Sequence, residues 1–143
     1  MKTWILLLLI TLSCTKMTQK TIEVVSIQPA TPLEIQENNL GAIPHKSIVI
    51  SSAEDLSTIN PKMSFGFVAV EKREDFALPQ EELVKKHLIF EVISLKKIEA
   101  NQYQFFVNSA LLPTNKTIFC RLERPGFVMK EGYHSPIFEL KIQ

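Results

Sequence analysis

Three histidines and two cysteines are the strongest metal ligands and nucleophiles in this chain of 143 residues. Their spacing decides how much chemistry can be read from it. His45, His87 and His134 stand far apart, and none has a second ligand at the short spacing a zinc site uses. His45 follows Pro44 and His134 follows Tyr133 in loop-like stretches, where a histidine reads as a solvated side chain. Cys120, in TIFCRLE, shares one strand face with Ile118 and Leu122 and reads as a small hydrophobe rather than a reactive thiol. Asp55, Asp75 and the glutamates mark no carboxylate pair for glycoside hydrolysis. With four glycines in all and no Gly-x-Ser-x-Gly elbow, neither a hydrolase nucleophile nor a phosphate-cradling loop is signalled. A non-enzyme without metal or cofactor is expected. Tyr103 alternates with Phe105 and reads as core, which leaves Tyr133 as the surface aromatic. Asn115-Lys116-Thr117 matches an N-glycosylation acceptor and matters only in a eukaryotic protein.

The N-terminus carries a different chemistry. Lys2 precedes an apolar run from Trp4 to Leu12. As a helix that run reaches about 14 Å, against about 30 Å of bilayer hydrocarbon, so it is too short to span. A basic start, a short apolar stretch and small residues after it read as a secretory signal peptide over 1–13. Cys14 follows directly, and Thr11-Leu12-Ser13-Cys14 resembles the lipobox of bacterial lipoproteins, with its leucine one position late. That resemblance implies acylation of Cys14, a lipid anchor and tether over 14–20, and attachment to a membrane of the bacterial envelope, by default the outer one. Ordinary cleavage after the small-x-small Thr11 and Ser13 stays open and would give a secreted or periplasmic soluble protein. In that case Cys14 could also pair with Cys120.

The mature chain is close to neutral: 16 basic and 15 acidic side chains occur in all, and Lys2 belongs to the leader. With no basic stripe, nucleic acid is not an expected partner. The elements that must position any site are mostly strands. Period-two alternation and β-branched or aromatic runs mark 21–28, 46–51, 64–71, 87–95, 102–112, 116–123 and 136–142, with a short edge piece at 33–36. The segment near 79–87 departs from this. Pro79 suits a first helical position, and Glu81 and Glu82 precede Lys85 and Lys86 by four residues, so a short crossover helix is expected. The fold class is all-β: a single antiparallel sandwich of seven or eight strands over 21–143.

In IFCRLERPGFVMKEGYHSPIFELKI, an alternating strand, a polar loop and a terminal alternating strand resemble the last hairpin of immunoglobulin-like and fibronectin type III-like domains. The resemblance implies an Ig-like sandwich, though the early partner cysteine and the core tryptophan are missing. Two loops are similar to those of chagasin-like cysteine-protease inhibitors: INPKMSFGF (59–67), with Asn60, Pro61 and Gly66, and RPGF (124–127), with Arg124, Pro125 and Phe127. This implies loops wedged into a protease cleft on a rigid scaffold. Two residues more precede Gly66 than in that family, Gly126 separates Pro125 from Phe127, and KKIEANQ stands where the family has a glycine-rich loop.

The leading expectation is therefore a protein-binding or accessory module at the cell envelope, held to the membrane through its N-terminal lipid. Its contact surface is expected in loops 52–63 and 124–135, including Tyr133, and its protein partner is unidentified. A protease inhibitor and a structural subunit of an envelope or secretion assembly are the alternatives.

Overall fold

The computed structural model describes residues 20–124 and 132–143. Cys14, Pro125 and Phe127 lie outside the described residues. Among the described residues nine strands form two antiparallel sheets. The first sheet has the order β1 (Ile22–Pro29), β2 (His45–Ser52), β6 (Gln102–Asn108), β5 (Lys96–Glu99). The second has the order β4 (Ile89–Ser94), β3 (Ser64–Val70), β7 (Lys116–Arg124), with β8 (Tyr133–His134) and β9 (Phe138–Ile142) sharing the far side of β7. β9 pairs the first half of β7 and β8 its last two residues. Between them Ser135 keeps contact, accepting from Leu122 N–H through its hydroxyl at 2.9 Å. The fold is an all-β sandwich whose strand order is compatible with an Ig-like domain.

Alternation explains which side chains fill the space between the sheets. Ile48 and Ile50 on β2 lie opposite Phe105 and Tyr103 on β6, and all four are fully buried. From the other sheet come Phe65 and Phe67, with Ile118, Cys120 and Leu122 of β7 and Phe138, Leu140 and Ile142 of β9. Phe67 and Phe105 meet across the sheets with ring centres 5.4 Å apart. Burying side chains of this size contributes about 2–3 kcal/mol each.

The expected helix is α3 (Gln80–Lys86), with Glu81 and Glu82 in its first turn and Lys85 and Lys86 in its last. Two further helices were not expected. Residues 33–36, read from the sequence as an edge strand, belong to α1 (Pro32–Glu37). A capping box decides this: Glu34 N–H donates to Thr31 Oγ1 at 3.2 Å while Thr31 N–H donates to Glu34 Oε2 at 2.8 Å, and Pro32 opens the helix. α2 (Leu56–Ile59) is one turn capped by Asp55. Residues 87–95 also do not form one strand with a loop after it. β4 ends at Ser94, and after the single residue Leu95 the chain continues as β5 in the opposite sheet. Among the described residues no helix is long and apolar enough to cross a membrane.

Candidate functional site

The outer face of the second sheet is divided in two. Over one half, the connection between β3 and β4 folds back as a 3-10 turn (Arg73–Ala77) followed by α3. It lays Phe76 and Leu83 on Val68 and Val70, with Phe119 and Ile137 at the margin. The second half of β3 is thus covered on both faces, which is why FVAV is an unbroken apolar run. Arg121 is also enclosed here, 8% exposed. Its guanidinium stacks 4.6 Å from the Phe76 ring centre and is paired with Glu123.

The other half is open and forms a groove of about 810 Å³. Gly66 is its floor: a methyl group added there would meet the Phe90 ring at 3.5 Å and the Glu123 carbonyl at 3.6 Å, ordinary contact distances. Phe90 and Val92 of β4 form one wall, 61% and 68% exposed. The turn Asn60-Pro61-Lys62 forms another, and Arg124 and His134 stand on the far rim.

That turn is rigid for local reasons. Met63 N–H donates to the Asn60 carbonyl at 2.8 Å, with Pro61 supplying the fixed φ that a turn favours at its second position. The Asn60 side chain accepts from Lys62 N–H at 3.1 Å and donates to the Ser64 carbonyl. Met63 completes the turn in the left-handed region, φ 56°. Upstream, Asp55 accepts from the Ser57 hydroxyl at 2.6 Å, from Ser57 N–H at 3.1 Å and from the Tyr103 hydroxyl at 3.0 Å. The Ser57 bonds, then Tyr103 and Lys97, pull its carboxyl down to about 2. Tyr103, buried in the core, also accepts from Leu56 N–H at 3.1 Å. Arg124 donates to the Ile59 carbonyl, which ties the end of β7 to this connection.

Asn60, Pro61, Gly66 and Arg124 therefore line one groove, although Gly66 belongs to a strand and not to a loop. Tyr133 sits nearby but is half-buried. Its ring meets Phe65 edge-on at 6.3 Å, and its hydroxyl donates to Glu54 at 3.1 Å; burial, then Glu54, raises its pKa. Glu54 also accepts from Lys20 at 3.1 Å.

The histidines are not assembled. His45 Nδ1 lies 2.6 Å from the Ile43 carbonyl, His87 stacks on Phe90 with ring centres 5.7 Å apart, and His134 is exposed. Burial, the largest influence on His87, lowers its pKa. Among the described residues no three His, Cys, Asp or Glu side chains are grouped to hold a metal. Cys120 is enclosed in the core, and burial pushes its thiol well up, away from the thiolate form.

The groove's polar turn groups are engaged with one another, so what it offers a ligand is shape, apolar contact and the rim cations Lys62 and Arg124. Phe90 and Val92 are the contributors that sequence reasoning missed. A signal existed: IFEVI is apolar in both phases, with Ile89 and Ile93 facing in and Phe90 and Val92 facing out. Comparison with protein-family models, with curated proteins and with solved structures gave no match to this chain.

Proposed function

We propose that this chain is a non-enzymatic lipoprotein of the bacterial cell envelope whose Ig-like sandwich, tethered through Cys14, binds a protein partner. The observation that carries the reading is the groove at the end formed by residues 53–63 and the end of β7. It joins an exposed Phe90–Val92 wall to a rigid Asn-Pro turn and two cations, a mixture typical of protein contact surfaces. Site-specific photocrosslinking in cells tests it, with the crosslinker at position 61 and a control at the exposed Leu33 on α1. A partner adduct from position 61 alone is expected. No adduct, or the same adducts from both positions, removes this end from the argument. The anchor is tested separately: Cys14→Ser should abolish fatty-acid labelling and release the protein from the membrane fraction. The partner's identity separates a single receptor from an envelope assembly in which the chain is a structural subunit.

A second reading, a chagasin-like cysteine-protease inhibitor, draws support from the Arg124 bond to Ile59, which sets two of the inhibitor-like segments side by side. It requires stoichiometric inhibition of papain that is lost in Arg124→Ala. Absence of inhibition at micromolar concentrations retires it.

A further inference from the structure

The edges of the two sheets are not treated alike. β5 presents Lys96 and Lys97, both exposed, and its ladder shifts register between Lys97 and Glu99. β1 shifts between Val24 and Ser26 and ends at Pro29. β9 is separated from β8 by the stretch containing Pro136. Charge, bulge and proline are the usual guards against strand addition. β4 has neither proline nor register shift, and its one charge, Glu91, is set on the inner face: its register with β3 runs unbroken from Ser94 to Ile89, and among the described residues no strand pairs its other side.

The phase of that ladder shows which groups are free. Leu95 N–H donates to the Met63 carbonyl at 2.8 Å, so in the alternating antiparallel pattern Ile93, Glu91 and Ile89 also turn their peptide groups to β3. The N–H and C=O groups of Phe90, Val92 and Ser94 then point off the open edge. Phe90 and Val92 expose their side chains on the outer face.

Glu91 faces the other way. It lies opposite Phe67, whose ring is in the core, yet its carboxylate oxygen Oε2 is buried with no hydrogen-bond partner among the described residues. An acceptor buried in that state is costly and is relieved by a cation. A strand added to β4 would meet Glu91 in a non-hydrogen-bonded pair, where opposed side chains come closest.

We propose that the open edge of β4 takes an extended peptide segment of a partner protein, its central residue basic and seated opposite Glu91, with apolar residues on either side against Phe90 and Val92. Glu91 sets the selectivity. It penalises an apolar or acidic residue at the pairing position, and it opposes a second copy of β4 aligned Glu91 on Glu91. The inference rests on the protein-binding reading and names the chemistry of the ligand at that groove.

The test is titration of a fluorescent peptide, Thr-Thr-Val-Lys-Val-Thr-Thr, and its Glu-centred twin into the purified full-length chain, followed by anisotropy. The Lys peptide should bind at least about tenfold more tightly than its twin. Glu91→Lys should reverse that order. Val92→Pro, which removes an N–H from the open edge and leaves the β3 ladder intact, should abolish binding of both. Equal affinities, no binding, or binding undisturbed in Val92→Pro overturns the proposal. Self-association that disappears in Val92→Pro, with no peptide binding, overturns it in favour of a second copy. If the adduct from position 61 persists in Val92→Pro, the edge proposal alone fails. Loss of the adduct in the parent protein would fail the wider reading.

Discussion

Replacing Tyr103 by Phe removes one oxygen atom from the core and tests what holds the β2–β3 connection in place. The ring stays fully buried, so packing is unchanged and the cost comes from hydrogen bonding. Leu56 N–H, 3.1 Å from the hydroxyl, belongs to a residue with no exposure and would be left unsatisfied. Asp55 would lose one donor of three but keep both bonds from Ser57 and its contact with water. The penalty is therefore that of one orphaned buried amide, about 1–3 kcal/mol. For a domain of this size that lowers Tm by about 4–10 °C. Urea unfolding followed by circular dichroism should show a lower midpoint with an unchanged m-value. Asp55→Ala should cost less, because it spares the Leu56 bond, and the double variant should show coupling. A loss below about 0.5 kcal/mol for Tyr103→Phe would refute the reasoning, since it would mean that water replaces the hydroxyl.

Asp55 also sets a pH dependence: its folded-state pKa of about 2 lies below the ordinary 3.8, so its contribution is complete above that value and is lost as pH falls toward 2, an acid limb that Tyr103→Phe should move upward. Arg121→Ala should cost about 2–4 kcal/mol in denaturant unfolding, because it empties the space under Phe76 and strips Glu123 of its partner, whereas Arg121→Met, which keeps the stem, should cost less. Phe90→Ala and Val92→Ala should each change stability by less than about 0.5 kcal/mol, so any loss of partner crosslinking in them reports contact and not unfolding. Cys120 should resist thiol reagents in the native protein and be labelled only on unfolding, as peptide mapping would show.

The parts of the fold legible in the sequence were those in which one face is wet. β9 alternates Phe138, Leu140 and Ile142 with Glu139 and Lys141, and its two faces were read correctly. α3 announced itself through Pro79 and its charge order. α1 was misread because Leu33 and Ile35 alternate as in a strand, although Thr31-Pro32-Leu33-Glu34 carries the capping signal. β5 left no trace in periodicity, since all four of its residues are exposed. The groove was half visible. Asn60-Pro61 and Arg124 stood out as turn chemistry, but their meeting with Gly66, Phe90 and Val92 depends on strand order, which no local pattern encodes. The buried guanidinium of Arg121 was hidden for the same reason: it needs Phe76, folded over it from a distant part of the chain.

The passage from β4 to β5 through Leu95 has a mechanical meaning. One short span of chain belongs to both sheets and stitches them together along one side, with Leu95 itself in the core. On the opposite side β1 and β9 lie at the borders of different sheets with no ladder between them. The sandwich is bound like a book, with its spine at Leu95 and its fore-edge at β1 and β9. Local opening is expected first at the fore-edge, and native-state amide exchange faster for the paired amides of β1 and β9 than for those of Ile89, Glu91 and Ile93 would show it.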